Sequence, residues 1–470
     1  MAIDRFVTGI ADDLLRRAED AQARLAESFE PRLRLGVTGL ARAGKTVFTA
    51  SLVANLLDRG RMRLLDAEAE GRVLAAALRP SPDRRLPRFA LEEHLAALLG
   101  DPPRWPESTR AVSALRLSFR LAPRGLLGGL TGPRVLHLDI VDYPGEWLAD
   151  LGLLSLDYAQ WSERALEEAR APARAPHAGA WLAAAEAGGG EVEARARELA
   201  AGFTAYLRAC REDGLAGLAP GRFLMPGELE GSPALAFAPL PPGPRSALRT
   251  ELARRYETYR ETVVRPFFRD HFSRLDRQVV LVDVLEALSR GPRAVDDLRR
   301  AIGGVLSAFR PGAPAWLAPF LGGRTDRILF AATKADHVHH EEHDRLAALM
   351  RALVREAADR AELRGQRTRT MALAALRATT EQIEERDGRR LPCVRGRLAQ
   401  SGREAVLHPG SLPEDPKALL AEAREGAERW RGPGFRALRF EPPRLSLRPG
   451  EGPPHIRLDR AAQFLIGDRL

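Results

Sequence analysis

The sequence predicts an α/β fold built around a mostly parallel β-sheet. The first indication is residues 33–57, where a short apolar strand, a glycine-rich turn and an amphipathic helix follow one another. The second is a series of short apolar runs farther along the chain, at residues 135–141, 279–284 and 327–332. Strands that are buried on both faces have this composition, and parallel sheets bury both faces of their strands.

Length and composition are those of a globular protein with two or three domains. The chain has 470 residues, of which 45% are hydrophobic and 29% are charged. Its two cysteines, Cys210 and Cys393, lie far apart and suggest no disulfide framework, so we expect a cytoplasmic protein. Residues 1–20 carry early acids and do not resemble a signal peptide. No run approaches the roughly 20 apolar residues that a membrane-spanning helix needs.

The charge distribution argues against a nucleic-acid partner. The formal net charge is +9, but the basic residues are scattered among Ala, Leu and Glu instead of forming one block. Of the 72 Lys and Arg residues only three are lysine, namely Lys45, Lys334 and Lys417. A lysine persists where a compact ammonium is needed and a planar guanidinium does not fit. Two of the three lie in the motifs described below.

The turn after the first strand has the spacing G-x-x-x-x-G-K-T of a loop that holds a triphosphate. Gly39 and Gly44 let successive backbone N–H groups face phosphate oxygens, and the helix that begins there adds its dipole. Lys45 supplies a charge for the β- and γ-phosphates, and the Thr46 hydroxyl is a ligand for Mg²⁺. The residues expected to contact the nucleotide here are Gly39, Ala41, Arg42, Ala43, Gly44, Lys45, Thr46 and Val47.

The segments on either side of this loop are less regular in pattern. Residues 3–28 alternate apolar and charged positions as an amphipathic helix. That helix either packs on the nucleotide domain or binds reversibly to a membrane surface, where the protein would be peripheral to the inner membrane. Residues 58–110 are Pro-rich and predicted to be irregular, and residues 112–121 alternate as a half-buried strand.

The strand at residues 135–141 runs directly into a second phosphate-site motif, D-x-x-G. Asp142 is expected to hold Mg²⁺, usually through water, and the N–H of Gly145 to bond the γ-phosphate, so that the loop senses hydrolysis. In small GTP-binding proteins a threonine before the preceding strand closes onto the same ion. Thr109 has this position, with Ser108 as the alternative.

Residues 148–276 differ in character from the flanking strands. They are rich in Ala, Glu, Arg and Leu, with Gly and Pro punctuation, and read as several amphipathic helices. The distance from Asp142 to the next nucleotide motif is far longer than one or two strand–helix units require. We therefore predict an inserted helical subdomain, which is also the expected docking surface for an unknown protein partner.

The strand at residues 327–332 ends in Thr333-Lys334-Ala335-Asp336. This element resembles the N/T-K-x-D of GTP-binding proteins, in which the lysine lies along the base and the aspartate pairs with guanine. The last strand, predicted over residues 370–376, ends in Ala374-Ala375-Leu376, where GTP-binding proteins carry S-A-K. The match there is positional, because it is the central backbone N–H that meets guanine O6.

Four histidines follow the T-K-x-D element, in the stretch His337 to His343. His339 and His343 are i, i+4 on a predicted helix and could share a metal. The alternative is a solvated helix start, which the absence of a further ligand at a defined position favours. Residues 391–450 are Pro- and Gly-rich with short strand-like runs at 405–408 and 436–440, and a short amphipathic helix closes the chain.

Together, GVTGLARAGKT, DYPGEW, TKADHVHH and the terminal LDRAAQFLIGD resemble the YcjX-like family of bacterial P-loop GTP-binding stress proteins. The resemblance implies a Ras-like P-loop NTPase core, GTP or GDP with Mg²⁺, and a role in the stress response. The predicted division is an N-terminal helix at 1–30, the nucleotide-binding domain at 31–147 and 277–390, the helical insertion at 148–276, and C-terminal strands with a closing helix at 391–470.

The sequence favours slow hydrolysis of GTP to GDP and phosphate, coupled to a conformational switch. Glu146 occupies the position where a glutamine would orient the attacking water, and a carboxylate there is repelled by the γ-phosphate unless it faces away or is protonated. Arg42 either donates positive charge to the transition state or points to solvent. The alternatives are an ATP-using P-loop ATPase, motor or kinase, and a nucleotide-binding scaffold without turnover.

Overall fold

The computed structural model describes most of the chain. The described residues are 30–40, 42–80, 86–107, 111–123, 132–187, 189–271, 274–307, 325–425 and 435–470. Three predicted features lie outside them: residues 1–29 of the N-terminal helix, Ala41 of the glycine loop, and the Ser108–Thr109 pair.

Seven strands form the main sheet. They are β1 (Arg32–Gly39), β2 (Val73–Arg79), β3 (Ser113–Leu121), β4 (Arg134–Asp142), β5 (Arg277–Val282), β6 (Arg327–Ala332) and β7 (Arg367–Ala372). Their spatial order is β2-β3-β4-β1-β5-β6-β7. Strands β4, β1, β5, β6 and β7 are parallel, and β3 and β2 continue the sheet antiparallel. The predicted α/β fold with a mostly parallel sheet is confirmed, and five strand ends meet at one edge.

Helices cover the sheet and fill the connection between β4 and β5. Their bounds are α1 (Lys45–Asp58), α2 (Asp66–Ala69), α3 (Leu91–Leu99), α4 (Tyr158–Arg170), α5 (Ala175–Glu186), α6 (Val192–Glu212), α7 (Gly221–Leu224), α8 (Ala247–Tyr259), α9 (Arg265–Asp270), α10 (Val284–Arg290), α11 (Pro292–Ser307), α12 (His343–Leu363), α13 (Pro416–Glu425) and α14 (Leu458–Ile466). A 3₁₀ segment, Gly145–Ser155, follows β4, and one π-turn, Arg260–Val264, lies between α8 and α9. Among the described residues, no helix combines the length and apolar character needed to cross a membrane.

Each face of the sheet has its own hydrophobic core, because alternate residues of a strand point to opposite faces. Leu281 of β5 and Leu329 of β6 pack in one core with α1 and α14. Val282 and Phe330, one position farther along the same strands, pack in the other core with α11 and α12. Strands β5 and β6 are therefore buried on both sides, which explains their apolar runs.

A third core lies among the helices between β4 and β5. We call residues 148–276 the helical segment. Its aromatic side chains pack on one another, as in the stacked rings of Trp161 and Tyr256, whose centroids are 4.8 Å apart. Trp147 and Leu148 of the 3₁₀ segment belong to this third core, so the turn that follows β4 is packed into the helical segment.

Several local predictions were wrong. Residues 58–110, predicted to be irregular, contain α2, β2 and α3. A helix predicted at 294–309 corresponds to α11, whereas α10 was not predicted; Gly291, with φ 93°, and Pro292 separate the two helices. Strand β7 ends at Ala372, before the predicted end at residue 376.

Beyond β7 a small antiparallel sheet is formed by β8 (Thr380–Arg386), β9 (Arg389–Arg397) and β10 (Glu404–Leu407). It begins before residue 391, where the C-terminal strands were predicted to start. The predicted strand at 405–408 is β10, whereas residues 436–440 form only a bridge from Phe440 to Leu398. The closing helix α14 is fixed below the main sheet, where Arg277 donates to the Leu465 carbonyl at 2.9 Å.

Candidate nucleotide-binding site

The glycine loop lies between the end of β1 and the start of α1, as its spacing predicts. A Cβ on Gly39 would lie 2.4 Å from the Leu281 carbonyl oxygen of the neighbouring strand, so this position excludes any side chain. Gly44 is the N-cap of α1 and has φ 84°, a conformation that glycine adopts without strain. The backbone N–H groups at the start of α1 are thereby presented at the carboxyl edge of the sheet.

Lys45 is held inside this loop. Only 8% of the residue is exposed, and its Nζ donates to the carbonyl oxygens of Gly39 at 3.3 Å and Leu40 at 3.1 Å. Burial lowers the pKa of the Lys45 ammonium, and the charges of Glu146 and Asp142 act in the opposite direction. A buried ammonium needs a counter-charge, so Lys45 is suited to bind an anion that reaches the loop.

Asp142 and Thr46 flank Lys45 with oxygen donors. Asp142 is the last residue of β4, pairs in register with Val37 of β1, and is 1% exposed. Thr46 lies in the first turn of α1 and is also buried. A carboxylate and a hydroxyl are the hard oxygen ligands that Mg²⁺ prefers, so the chemistry of these two residues fits that ion.

Gly145 lies directly against the glycine loop. A Cβ at this position would be 2.2 Å from the Gly39 carbonyl oxygen and 2.8 Å from Lys45 Nζ. The absence of a side chain is therefore what allows the turn after β4 to contact the loop after β1. The structure brings together Gly39, Lys45, Asp142 and Gly145, four residues that sequence reasoning assigned to one site.

Glu146 forms an ion pair that the sequence did not reveal. Its carboxylate lies 2.9 Å from a guanidinium nitrogen of Arg211, in the last turn of α6, and 10% of the Glu146 side chain is exposed. Arg42 of the glycine loop is exposed and has φ 62°. Arg42, Glu146 and Arg211 line a cavity of about 100 Å³ between the loop, the 3₁₀ segment and α10.

The T-K-x-D element follows β6, two strands from β1. The Thr333 amide donates to the Val282 carbonyl at 2.9 Å, which continues the pairing of β5 and β6. Lys334 has φ 59° and its ammonium pairs with the carboxylate of Asp283. Asp336 is 3% exposed, and its Oδ2 accepts from the Ala378 amide at 2.8 Å. The aspartate is thus buried and fixed beyond the end of a parallel strand.

The predicted Ala374–Leu376 element follows Leu373, whose carbonyl accepts from the Ala335 amide at 3.1 Å, but the amide that contacts Asp336 belongs to another residue. The Ala374 amide donates to the Ile456 carbonyl at 3.1 Å, and the Ile456 amide donates to the Ala374 carbonyl at 2.8 Å. The amide that reaches Asp336 belongs to Ala378, farther along the same connection. Sequence reasoning missed Ala378 because the predicted strand ran past the end of β7.

The histidines after Asp336 are mostly buried, so the prediction of a solvated helix start was wrong for them. His339 and His343 are each 3% exposed, and His343 Nε2 contacts the Ala335 carbonyl oxygen at 2.8 Å. His339 precedes the 3₁₀ turn His340–Glu342 and does not share a helix with His343, which begins α12. The i, i+4 geometry on which the predicted metal pair depended is therefore absent at these two residues.

Comparison with known proteins agrees with the resemblance seen in the motifs. The family model for the YcjX-like family, DUF463, matches residues 33–470. A protein of Escherichia coli (strain K12) named Ras-like GTPase YcjX is 37% identical over 479 aligned residues, which cover 97% of this chain and 99% of that protein. A protein of the same name from Shewanella oneidensis is 33% identical over 493 aligned residues, 98% of this chain and 100% of that protein. With matches over nearly its full length, the chain belongs to the YcjX-like family.

Proposed function

We propose that the protein binds GTP together with Mg²⁺ and hydrolyses it slowly to GDP and phosphate. The observation that carries the proposal is the meeting of three elements at one edge of the parallel sheet. They are the glycine loop with buried Lys45, the turn from Asp142 to Gly145 that contacts it, and buried Asp336 beyond β6. Ligands of open α/β sheets bind outside the carboxyl ends of the strands. The name Ras-like GTPase, carried by the two relatives, supports the same reading.

The phosphate groups are assigned to the glycine loop. The amides of residues 41–47 and the Lys45 ammonium bind the phosphate oxygens, and the Gly145 amide bonds the γ-phosphate. Thr46 and Asp142 are the proposed Mg²⁺ ligands, with Thr109 as a third that lies outside the described residues. When bound, the ion supplies charge neutralisation for the transferred phosphoryl group. The contact of Gly145 with the Gly39 carbonyl supports this arrangement, since it aligns the two loops.

The base is assigned to Asp336. A carboxylate has about four acceptor sites, and the Ala378 amide uses one of them. The remaining capacity suits the N1–H and 2-amino donors of guanine, while adenine would present its own N1 lone pair to the carboxylate. Lys334, fixed by Asp283, lines the base, and Thr333 supports it from the end of β6. From the Ala374–Leu376 element we assign the central amide, that of Ala375, to guanine O6.

Slow hydrolysis follows from the groups that would act on the attacking water. Glu146 stands where a glutamine would orient that water, and its carboxylate is engaged by Arg211. Arg42 is a further source of positive charge beside the cavity. Phosphoryl transfer depends mainly on positioning and charge stabilisation, so a site without an orienting amide should turn over slowly until a partner or oligomerisation completes it.

Conformational switching is assigned to the helical segment. Its first turns are continuous with Gly145, so we propose that residues 148–276 form an inserted subdomain whose docking depends on the γ-phosphate, between core parts 31–147 and 277–390. The segment is also the proposed surface for a protein partner. A cytoplasmic location, a stress-response role and peripheral membrane association through residues 1–30 complete the proposal. The stress-response role rests on the family resemblance.

Competition between nucleotides is the decisive test. A labelled guanine nucleotide should be displaced by GTP at about tenfold to hundredfold lower concentration than by ATP, because a buried acceptor left unpaired costs roughly 1–3 kcal/mol. Asp336→Asn should lose a similar factor for GTP and gain affinity for xanthosine triphosphate, whose 2-carbonyl accepts from the new amide. Asp359→Asn, at an exposed position of α12, is the matched control.

The outcomes separate the rival functions. Equal affinity for ATP and GTP, with no xanthosine gain in D336N, would favour an ATP-using P-loop protein. Guanine preference without multiple-turnover phosphate release, even at high protein concentration, would leave a nucleotide-binding scaffold. Only guanine preference together with phosphate release supports the proposed GTPase.

A further inference from the structure

The ion pair between Glu146 and Arg211 connects the nucleotide site to the helical segment. Glu146 belongs to the turn after β4, and Arg211 to the last turn of α6. Their closest atoms are 2.9 Å apart, and the two side chains are 10% and 31% exposed. An ion pair in such a partly buried place is screened less by water than one on the open surface.

The carboxylate of this pair lies beside the place proposed for the third phosphate. Glu146 directly follows Gly145, where an added Cβ would lie 2.8 Å from Lys45 Nζ. Of the charges that act on the Lys45 ammonium to raise its pKa, Glu146 has the largest influence, ahead of Asp142. A γ-phosphate bound by Lys45 would therefore meet a second anion at short range.

Arg211 is the group that can offset that repulsion. Two other arginines line the same cavity, but Arg42 is exposed, and Arg290 is engaged by Glu286 at 2.9 Å and by the Asp213 carbonyl. Among the ion pairs of the described residues, the partner of the Glu146 carboxylate is Arg211. With Arg211 in place, the pair adds no net charge to the site.

We infer that Arg211 is a positioning residue that neutralises Glu146 and so allows the nucleotide site to accept a γ-phosphate. The inference rests on the proposed function. The ion pair of Arg211 and Glu146 then couples the docking of the helical segment to the presence of GTP. Because coupling between two equilibria is reciprocal, a docked α6 favours GTP over GDP, and bound GTP favours a docked α6. The segment is then part of the γ-phosphate sensor.

The test compares affinities for GDP and for a non-hydrolysable GTP analogue in matched variants. Arg211→Ala should lower the affinity for the analogue about tenfold or more and change that for GDP little, since a like charge at short range shifts such equilibria by one or more powers of ten. Glu146→Gln in the same variant should restore the analogue. Arg208→Ala, on an exposed position of the same helix, is the control and should bind as the unaltered protein does.

Glu146→Gln alone keeps the experiment decisive if Arg211→Ala does not fold. It leaves the Arg211 charge uncompensated, so the preference for the analogue over GDP should rise severalfold. Equal losses for both nucleotides in R211A, or no restoration in the double variant, would overturn the inference while leaving GTP binding intact. Failure of the unaltered protein to bind either nucleotide would instead refute the proposed function.

Discussion

Replacing Gly145 by alanine tests the contact on which the phosphate sensor depends. The added Cβ would lie 2.2 Å from the Gly39 carbonyl oxygen, 2.8 Å from Lys45 Nζ and 2.9 Å from the carbonyl carbon of Leu40. Two of these three neighbours are backbone atoms, which a rotamer change cannot move. The turn after β4 must therefore retreat from the glycine loop by about 1 Å to reach ordinary contact distances.

A retreat of this size has two consequences with different magnitudes. Overpacking of a tight contact costs typically 1–3 kcal/mol of stability. A hydrogen bond from the Gly145 amide to the γ-phosphate would lengthen beyond its useful range, and a bond to a charged group contributes roughly 1.5–3 kcal/mol. We therefore expect G145A to bind a GTP analogue about ten- to a hundredfold more weakly, with GDP affinity nearly unchanged.

The assay is titration of both nucleotides, with thermal unfolding measured in parallel. Gly179→Ala, on an exposed face of α5 where a Cβ meets nothing within 4 Å, controls for the substitution itself. It should leave both affinities unchanged and stabilise the helix by up to about 1 kcal/mol. If G145A binds the analogue as tightly as the unaltered protein does, the γ-phosphate is not read at this turn.

Three further predictions follow from the buried charges of the site and the segment joined to it. Lys45→Ala removes the ammonium of the glycine loop, so nucleotide binding should fall below detection while circular dichroism is retained; Lys417→Ala, exposed on α13, should bind normally. Burial raises the pKa of Asp150 to about 6 from 3.8, so its contribution to stability is full below pH 3.8 and is lost as the pH rises through 6. Denaturant titrations should show that the free energy of unfolding falls by about 3 kcal/mol over that pH range, and the fall should be absent in Asp150→Asn. Hydrogen exchange of residues 145–165 should differ between GDP and the GTP analogue, and identical protection would leave the helical segment a passive appendage.

The parts of the fold that sequence predicted best are those where both faces of an element are buried. Strands β5 and β6 form apolar runs because α1 and α14 cover one side of this part of the sheet and α11 and α12 the other. The loops after the parallel strands β1, β4 and β6 carry the three nucleotide motifs at the same edge. Strand β2 was missed because it is a mostly exposed edge strand whose apolar run, VLAAALR, is centred on three alanines, and alanine is depleted in strands.

Contacts between distant parts of the chain could not be predicted in the same way. Arg211 is one of many arginines on amphipathic helices, and nothing in its local sequence distinguishes it from exposed Arg208. The amide of Ala378 carries no side-chain signal at all. The buried histidines after Asp336 have a polar pattern, yet their burial depends on neighbours such as Phe440, which packs edge-on against His337. In each case the information lies in the packing partner.

The contacts between the 3₁₀ segment and the helical segment indicate how a change at the nucleotide site would reach the helices. The Asp150 carboxylate accepts from the Gly221 amide and from the Tyr259 hydroxyl, both at 2.6 Å, and the Arg222 guanidinium lies 3.2 Å from the centre of the Trp147 ring. Movement of the turn alone would strip a buried carboxylate of these donors, at about 1–3 kcal/mol for each bond.

Carrying the helical segment along with the turn preserves all of those bonds. It must still satisfy the link between Arg174 and Asp297 of α11, where nitrogen and oxygen are 3.1 Å apart and both side chains are buried. Breaking one partner from a buried ion pair costs about 3–5 kcal/mol, more than the loss of the partly exposed contact between Arg211 and Glu146. The motion of lowest cost therefore keeps the Arg174–Asp297 link and opens at Arg211. We expect the segment to rotate about α11 when the γ-phosphate is lost; the end of α6 moves little, because the Ala216 amide just beyond it donates to Asp297 at 2.6 Å, and the helices remote from α11 move farthest.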